Sequence, residues 1–180
     1  MRDGLFQAVS ITTTTGFTTD NFAAWPSVAP IILLFAAFAG GCAGSTAGGI
    51  KIIRVLMIYL QGMREVKRLI HPNGVFTIKM GRNAVSDRLV DAVWSFFSVY
   101  VFFFLLSVCA LMAVGDLDFI TAFSAVGACL NNLGPGLGDV AVNYADISPS
   151  IKWILIFNMV LGRLEIFTLL VLLTPAYWRR

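Results

Sequence analysis

The sequence is organised around two short motifs, Thr12-Thr13-Thr14-Thr15-Gly16-Phe17 and Asn131-Asn132-Leu133-Gly134-Pro135. Each follows an apolar run that contains Phe-x-Ala-Val, and each precedes a polar stretch, a proline and a long apolar segment. One helix–glycine loop–helix unit therefore occurs twice, about 118 residues apart. Unwound backbone inside a membrane is tolerated only where it is buried in protein or lines water. Rings of backbone carbonyls in such loops can replace the hydration shell of a potassium ion.

The composition is that of a membrane protein. Hydrophobic residues make up 58% of the 180 and charged residues only 13%, and the mean hydropathy is +0.82. The run from Ala92 to Gly115 holds 24 residues without a charge, which is enough for a transmembrane helix. The three cysteines, Cys42, Cys109 and Cys129, have no paired spacing, so the sequence predicts neither a disulfide framework nor a zinc site.

The apolar segments predict an all-α polytopic membrane protein. Gly4–Ile11 and roughly Phe119–Cys129 are too short to cross a bilayer, and each fits a half-membrane pore helix ahead of one of the two loops. The predicted spans are Pro30–Leu60, broken in the middle by glycine-rich backbone, then Ala92–Gly115 and Trp153–Thr174.

The charges predict the orientation of the chain. The stretch Arg64–Arg88 and the terminal Arg179-Arg180 are basic, whereas Thr18–Pro30 and Asp116–Ser150, which surround the two loops, carry aspartates and no Lys or Arg. Because basic segments stay on the inner side of a membrane, we expect the basic stretches to be cytoplasmic and both loops to open outward. The 64–88 stretch is then expected to lie at the membrane surface.

Five glycines interrupt the first long span: Gly40, Gly41, Gly44, Gly48 and Gly49. A phosphate-binding loop needs Gly-Lys followed by Ser or Thr, which is absent here. The Gly-x-x-x-Gly spacing also fits close packing of two helices, and that interpretation stays open. The glycine content favours a movable loop inside the membrane, because interrupted apolar segments often mark substrate pathways.

Arg163 falls in the middle of the last predicted span. A charge at that depth is expensive and usually faces a cavity or a partner. One interpretation is a structural ion pair with a neighbouring helix, and the other is a charge that faces a pore. Glu165 points to a different helix face, and we expect Lys51 to extend its ammonium group toward the cytoplasm.

These motifs, in this order and spacing, resemble the potassium-transporter superfamily of TrkH, KtrB and plant HKT proteins, most closely its bacterial TrkH branch. The matching pieces are Ala8-Val9-Ser10 with Thr13–Thr19, Gly40–Lys51, Ala125–Gly136 and Gly162–Glu165. The resemblance implies tandem membrane–pore–membrane repeats around one pore, with half-membrane pore helices and filter loops. It assigns 1–70 to the pore helix, filter loop and broken second helix of one repeat, 71–85 to a cytoplasmic connection, and 86–180 to a complete repeat.

The resemblance also implies the site residues. Those of the filter are Thr13, Thr14, Thr15, Gly16, Phe17, Asn131, Asn132, Leu133 and Gly134, with potassium held at Thr14, Thr15, Asn131 and Asn132. Those of the gate are Gly40, Gly41, Gly44, Gly48, Gly49 and Arg163, with the arginine acting as an electrostatic barrier beneath the filter. The second loop has Asn-Asn-Leu where the first has Thr-Thr-Thr, which predicts a less strict selectivity than a symmetric filter would have.

The expected function is potassium uptake across the cell inner membrane, either passive or coupled to another ion, with potassium as substrate, no cofactor and no enzymatic chemistry. The expected partners are the remaining repeats of the same pore, a second copy in a homodimer, membrane lipid and a cytoplasmic nucleotide-binding ring subunit similar to TrkA, but no nucleic acid. The alternatives are a sodium-permeable transporter, a non-conducting structural subunit or truncated product, and a membrane enzyme with a glycine-loop active site.

Overall fold

The computed structural model describes residues 2–26, 28–81, 83–164 and 166–179. This part of the chain is mainly helical, in agreement with the predicted fold class. Its helices are α1 (Arg2–Thr12), α2 (Ala29–Ala39), α3 (Ile52–Ile70), α4 (Asp87–Val114), α5 (Phe119–Leu130), α6 (Pro149–Arg163), α7 (Ile166–Leu173) and α8 (Pro175–Trp178). Short 3₁₀ turns occupy Phe22–Ala24 and Gly138–Val140. Two strands, β1 (Lys79–Met80) and β2 (Asn83–Ala84), pair antiparallel in the connection between α3 and α4.

One described helix, α4, is long and apolar enough to cross a membrane by itself. Its 28 residues extend about 42 Å at the rise of an α-helix, more than the roughly 30 Å of a bilayer core. The pair α6 and α7 meets the same test only if the two are counted as one broken span. Length and composition therefore identify one span, or two with the broken pair, among the described residues, against three predicted from the sequence.

The last span differs from its prediction. The sequence predicts one helix over Trp153–Thr174, but α6 begins at Pro149 and ends at Arg163, and a separate helix α7 follows. Two properties of the sequence end α6 here: Gly162 is a poor helix former, and a cation is favoured in the last turn of a helix. Arg163 therefore lies at the end of a helix rather than in the middle of one. Glu165, which the sequence places on a different helix face from Arg163, lies outside the described residues.

The first long span is interrupted where the sequence predicts it. Helix α2 ends at Ala39, and Gly40 takes a φ of +66°, a left-handed conformation that commonly closes a helix. Helical backbone resumes only at Ile52. We call residues 40–51 the glycine loop.

The core is centred on α5, which lies between α4 and α6. Nearly every residue from Thr121 to Leu130 is buried, because the helix packs against aliphatic and aromatic side chains of both neighbours. A buried polar contact also links the neighbours directly: Ser107 of α4 donates a hydrogen bond of 2.8 Å to the side-chain carbonyl of Asn158 of α6. In apolar surroundings such a pair fixes the register of two helices.

One basic residue of the 64–88 stretch is not at the surface. Arg64 is buried, and its Nη1 lies 2.6 Å from Oδ1 of Asp87, the first residue of α4. The end of α3 is therefore tied to the start of α4. The contact is expected, because a buried guanidinium needs a carboxylate partner, and the placement of the 64–88 stretch at the membrane surface stays a prediction.

Candidate functional site

The two short motifs have the same backbone structure. The N–H of Thr15 donates to the carbonyl of Ser10 at 2.8 Å, and the N–H of Leu133 donates to the carbonyl of Ala128 at 2.8 Å. Each bond reaches back five residues past the end of a short helix, α1 or α5, as in a Schellman motif. Because donors and acceptors correspond at a fixed offset of 118, each helix ends in the same turn.

The left-handed residues correspond at the same offset. Thr14 has a φ of 54° and Asn132 a φ of 52°, and two residues further on Gly16 has 82° and Gly134 has 107°. Glycine takes such angles without strain, and Asn tolerates them, but a β-branched residue such as Thr rarely does. The repeat seen in the sequence is therefore also a repeat in backbone conformation.

The two loops touch each other. A Cβ added to Gly16 would lie 2.0 Å from the carbonyl oxygen of Leu133, closer than any real contact. Gly16 must be glycine both for its backbone angle and for this approach. The structure thus brings together residues that are far apart in the sequence, and it places carbonyl-bearing backbone of both loops at one location.

The first loop is held from its own helix. Ser10 donates its hydroxyl to the carbonyl of Phe17 at 2.6 Å, and the buried Gln7 donates to the carbonyl of Asp20 at 2.6 Å. Both side chains emerge from α1 and fix the chain after the loop. Neither Gln7 nor Ser10 is predicted as a site residue from the sequence, although two polar residues on a short apolar helix were a signal that partners were needed.

The threonines of the first loop face different environments. Thr13 and Thr15 are exposed, and their hydroxyl oxygens lie 2.8 Å apart. Thr14 between them is buried. The alternation follows from the left-handed turn at Thr14, which sends its side chain in the opposite direction.

The second loop is held by two tyrosines. The buried Tyr100 of α4 donates its hydroxyl to the side-chain oxygen of Asn131 at 2.8 Å, while the amide nitrogen of Asn131 donates to the carbonyl of Gly127 at 2.8 Å. Tyr144 donates its hydroxyl to the carbonyl of Gly134 at 2.8 Å. Desolvation raises the pKa of Tyr144, so its hydroxyl stays protonated and remains a donor at neutral pH.

Neither tyrosine is predicted from the sequence as a site residue. The signal for Tyr100 was its position inside the uncharged run from Ala92 to Gly115, since a buried phenol normally finds a hydrogen-bond partner. The Asn131 side chain is fully enclosed by its two contacts, so only the backbone of this residue remains for other interactions.

The glycine loop is closed at its neck. The N–H of Ile50 donates to the carbonyl of Phe38 at 3.0 Å, across the base of the loop. A Cβ on Gly40 would lie 2.4 Å from the carbonyl oxygen of Gly48, and one on Gly49 would lie 2.8 Å from that of Ala37. Compact loops with adjoining ends of this kind occur frequently at functional positions.

The glycine loop is seated against both short motifs. The N–H of Gly48 donates to the hydroxyl oxygen of Thr14 at 2.8 Å. A Cβ on Gly48 would lie 1.7 Å from the carbonyl oxygen of Asn131. Gly48 therefore approaches the first motif through its amide and the second through its Cα.

Two cationic side chains bind carbonyls of the glycine loop. Arg163 donates through Nη1 to the carbonyl of Thr46 at 2.6 Å. Lys51 donates through Nζ to the carbonyl of Ser45 at 2.7 Å and to that of Ala47. The expectation that Lys51 extends away toward the cytoplasm is wrong, because its ammonium folds back over the loop it follows.

A cavity of about 710 Å³ lies between the first motif and the glycine loop, and Asn132 and Arg163 also line it. Its lining is mainly apolar, and none of the described residues that line it carries a carboxylate. In the described residues no group of three or more His, Cys, Asp or Glu is placed to hold a metal ion. The polar side chains of the cavity include the threonine hydroxyls of the first motif, the amide of Asn132 and the guanidinium of Arg163.

Known proteins resemble this chain over its full length. The profile of the TrkH family, described as "Cation transport protein", matches residues 1–180. The Trk system potassium uptake protein TrkH of Vibrio parahaemolyticus is 59% identical over 175 residues, which is 97% of this chain and 36% of that protein. The Escherichia coli K12 protein of the same name is 56% identical over 179 residues, covering 99% of this chain and 37% of that protein.

The structural comparison agrees. The crystal structure of the potassium transporter TrkH from Vibrio parahaemolyticus matches with a TM-score of 0.89 at 59% identity, over 97% of this chain and 37% of that one. The chain thus spans a little over a third of the length of these relatives. The match to the family profile along its whole length shows that the chain belongs to the TrkH family of cation transport proteins.

Proposed function

We propose that this chain contributes two filter loops and a gate to a pore that takes up potassium ions across the cell inner membrane. The observation that carries the proposal is the matched pair of left-handed turns at Thr14 and Asn132, whose loops meet at Gly16 and Leu133. A ring of carbonyls around an ion is built from several loops of the same conformation placed side by side. Two such loops are in contact here. The names of the relatives, which are potassium uptake proteins, agree with this function.

In this proposal backbone carbonyls replace the water around potassium. Their positions are Thr14 and Thr15 in the first loop and Asn131 and Asn132 in the second. The preceding helices α1 and α5 end here, and the negative end of a helix dipole favours a cation. For Asn131 the ligand is its backbone carbonyl, since its side-chain amide is already occupied by Tyr100 and Gly127.

The glycine loop is the proposed gate. The carbonyl of Asn131 faces Gly48 at van der Waals contact, so an ion leaving the filter at this residue meets the glycine loop. Arg163 adds a positive charge on the same side, held to the loop at Thr46. Conduction then requires that the loop move and that the charge move with it or be screened.

The proposed surroundings follow the charges and the family. The chain is multi-pass, contacts membrane lipid, and completes its pore with the remaining repeats, so that this chain supplies only part of the ring. A second copy in a homodimer and a nucleotide-binding ring subunit similar to TrkA on the cytoplasmic side are the proposed protein partners. The phrase "Trk system" in the names of the relatives agrees with a multi-component assembly.

The test uses the full-length protein that contains these residues, reconstituted in liposomes and expressed in cells that lack other potassium uptake. We expect growth at limiting potassium and a flux that favours potassium over sodium. Equal fluxes of the two ions would favour the sodium-permeable alternative, for which the Asn-Asn-Leu sequence of the second loop is the argument. No flux of either ion from correctly inserted protein would leave the non-conducting structural subunit as the better explanation.

A further inference from the structure

The backbone of Thr14 is in a conformation that its residue type disfavours. Its φ of 54° is left-handed, and a β-branched side chain is rarely found there. Its counterpart in the second loop is Asn132, a residue type that tolerates the same angle. Closing the helix therefore does not explain a threonine at this position, because Gly or Asn would close it with less strain.

The side chain of Thr14 supplies the missing reason. It is buried, and its hydroxyl oxygen accepts the N–H of Gly48, which lies 34 residues further along the chain, at 2.8 Å in a buried contact. The strained turn at residue 14 is what points this hydroxyl at the glycine loop. The neighbouring Thr13 and Thr15 are exposed, with their own hydroxyls in contact.

We propose that Thr14 is a positioning residue that latches the glycine loop in its closed state through the Gly48 amide. This hydrogen bond couples movement of the glycine loop to the first filter loop, since it joins Gly48 of the one to Thr14 of the other. The inference rests on the proposed function in so far as the glycine loop is the gate. The hydrogen bond itself is a property of the fold and can be tested without transport.

The proposal depends on how well the Gly48 amide is hydrogen-bonded in the closed and in the open position of the glycine loop. In the closed state the Gly48 amide is buried, and removal of its acceptor leaves an unsatisfied donor. Once the loop has moved, the amide faces a cavity of about 710 Å³, where water can accept from it. Loss of the Thr14 hydroxyl therefore destabilises the closed state and leaves the open state nearly unchanged.

The experiment compares Thr14→Val, Thr14→Ser and the matched control Thr12→Val in the full-length protein. Val keeps the β-branched shape without the hydroxyl, and Ser keeps the hydroxyl. Thr12 is an exposed threonine at the end of α1, two residues away. The first readout is amide hydrogen exchange of the peptide that covers residues 43–51, and the second is potassium flux into liposomes, normalised to inserted protein.

We expect Thr14→Val to accelerate exchange of this peptide by about tenfold, as expected for one unsatisfied buried donor, and to raise potassium flux several-fold. Thr14→Ser keeps the hydroxyl and should keep the parental exchange rate, whereas Thr12→Val should match the parent in both readouts. If Thr14→Val does not assemble, Thr14→Ala removes the same hydroxyl with less strain and should give the same two results.

Unchanged exchange in the variants without a hydroxyl overturns the latch, whatever the flux. If Thr14→Ser exchanges as fast as Thr14→Val, the latch is also overturned, since the hydroxyl would then not be responsible. Faster exchange with unaltered flux overturns the coupling to conduction. Absence of potassium flux in the parent protein would instead contradict the proposed function, and the exchange measurement would still decide whether the latch exists.

Discussion

The hydroxyl of Tyr144 donates a hydrogen bond of 2.8 Å to the carbonyl oxygen of Gly134, the glycine that corresponds to Gly16 in the first loop. The tyrosine lies in the segment after the loop, between α5 and α6. A carbonyl oxygen that accepts a hydrogen bond from a phenol is held in one orientation, and one of its lone pairs is already used by that donor. The two loops thus differ in how one equivalent carbonyl is held.

Replacing Tyr144 tests this difference. Tyr144→Phe removes the hydrogen bond that orients the Gly134 carbonyl in the second loop. We therefore expect it to lower the potassium-to-sodium flux ratio by about two- to tenfold, the range for one net hydrogen bond. Tyr59→Phe is the matched control, because Tyr59 is exposed on α3, away from both loops. A flux ratio that is the same in Tyr144→Phe, Tyr59→Phe and the parent would show that this bond does not set selectivity.

Gly16 provides a steric prediction. The methyl group of Gly16→Ala would fall 2.0 Å from the Leu133 carbonyl and would also be strained at a φ of 82°. We expect the loops to separate and potassium uptake or selectivity to be lost, measured by growth at limiting potassium and by flux ratios. Gly62→Ala is the control, because this glycine lies in α3 with nothing within 4 Å of an added Cβ. Normal discrimination by Gly16→Ala would contradict a filter built on this contact.

Arg163 provides an electrostatic prediction. In the proposed pore its positive charge repels cations along the conduction path, and it also holds the glycine loop at Thr46. Arg163→Ala removes both effects and should raise potassium conductance, whereas Arg163→Lys should change it less. Arg88→Ala, an exposed arginine at the start of α4, should leave conductance at the parental level. If Arg163→Ala lowers flux because the protein fails to assemble, the structural interpretation of the arginine is the better one.

The glycine loop provides a prediction by deletion. Residues 43–46 are exposed and lie away from the neck that Gly40, Gly48 and Gly49 form. Removing these four residues shortens the obstruction and takes away the Thr46 acceptor of Arg163, so potassium flux should rise. The measurement is flux per inserted protein in liposomes. A deletion protein that inserts normally but conducts at the parental level would show that the loop does not limit conduction.

The sequence predicted the local features of this fold well. The helices α1 and α5 lie where the apolar runs predict them, and the repeat at an offset of 118 anticipated the shared turns at Thr14 and Asn132. Helix ends and glycine loops are local properties, encoded within a few residues of where they act. The roles of the filter and gate residues remain predictions.

The contacts that hold the site could not be predicted in the same way. Tyr100 and Asn131 are 31 residues apart, and Gly48 and Thr14 are 34 apart, so no local pattern pairs them. The division of the last span into α6 and α7 was also missed, because the hydropathy of Ile166–Leu173 continues that of α6. The inward turn of Lys51 depends on carbonyls that only the folded loop presents.

The ion pair between Arg64 and Asp87 connects two helices that lead to different parts of the site. It joins α3, which follows the glycine loop, to α4, which leads into α5. Separating the two helices here would leave the buried guanidinium of Arg64 without its carboxylate, which is unfavourable, so the two helices are expected to move together. The ion pair thus links the helix that follows the glycine loop to the helix that precedes α5, so a displacement of one is passed to the other.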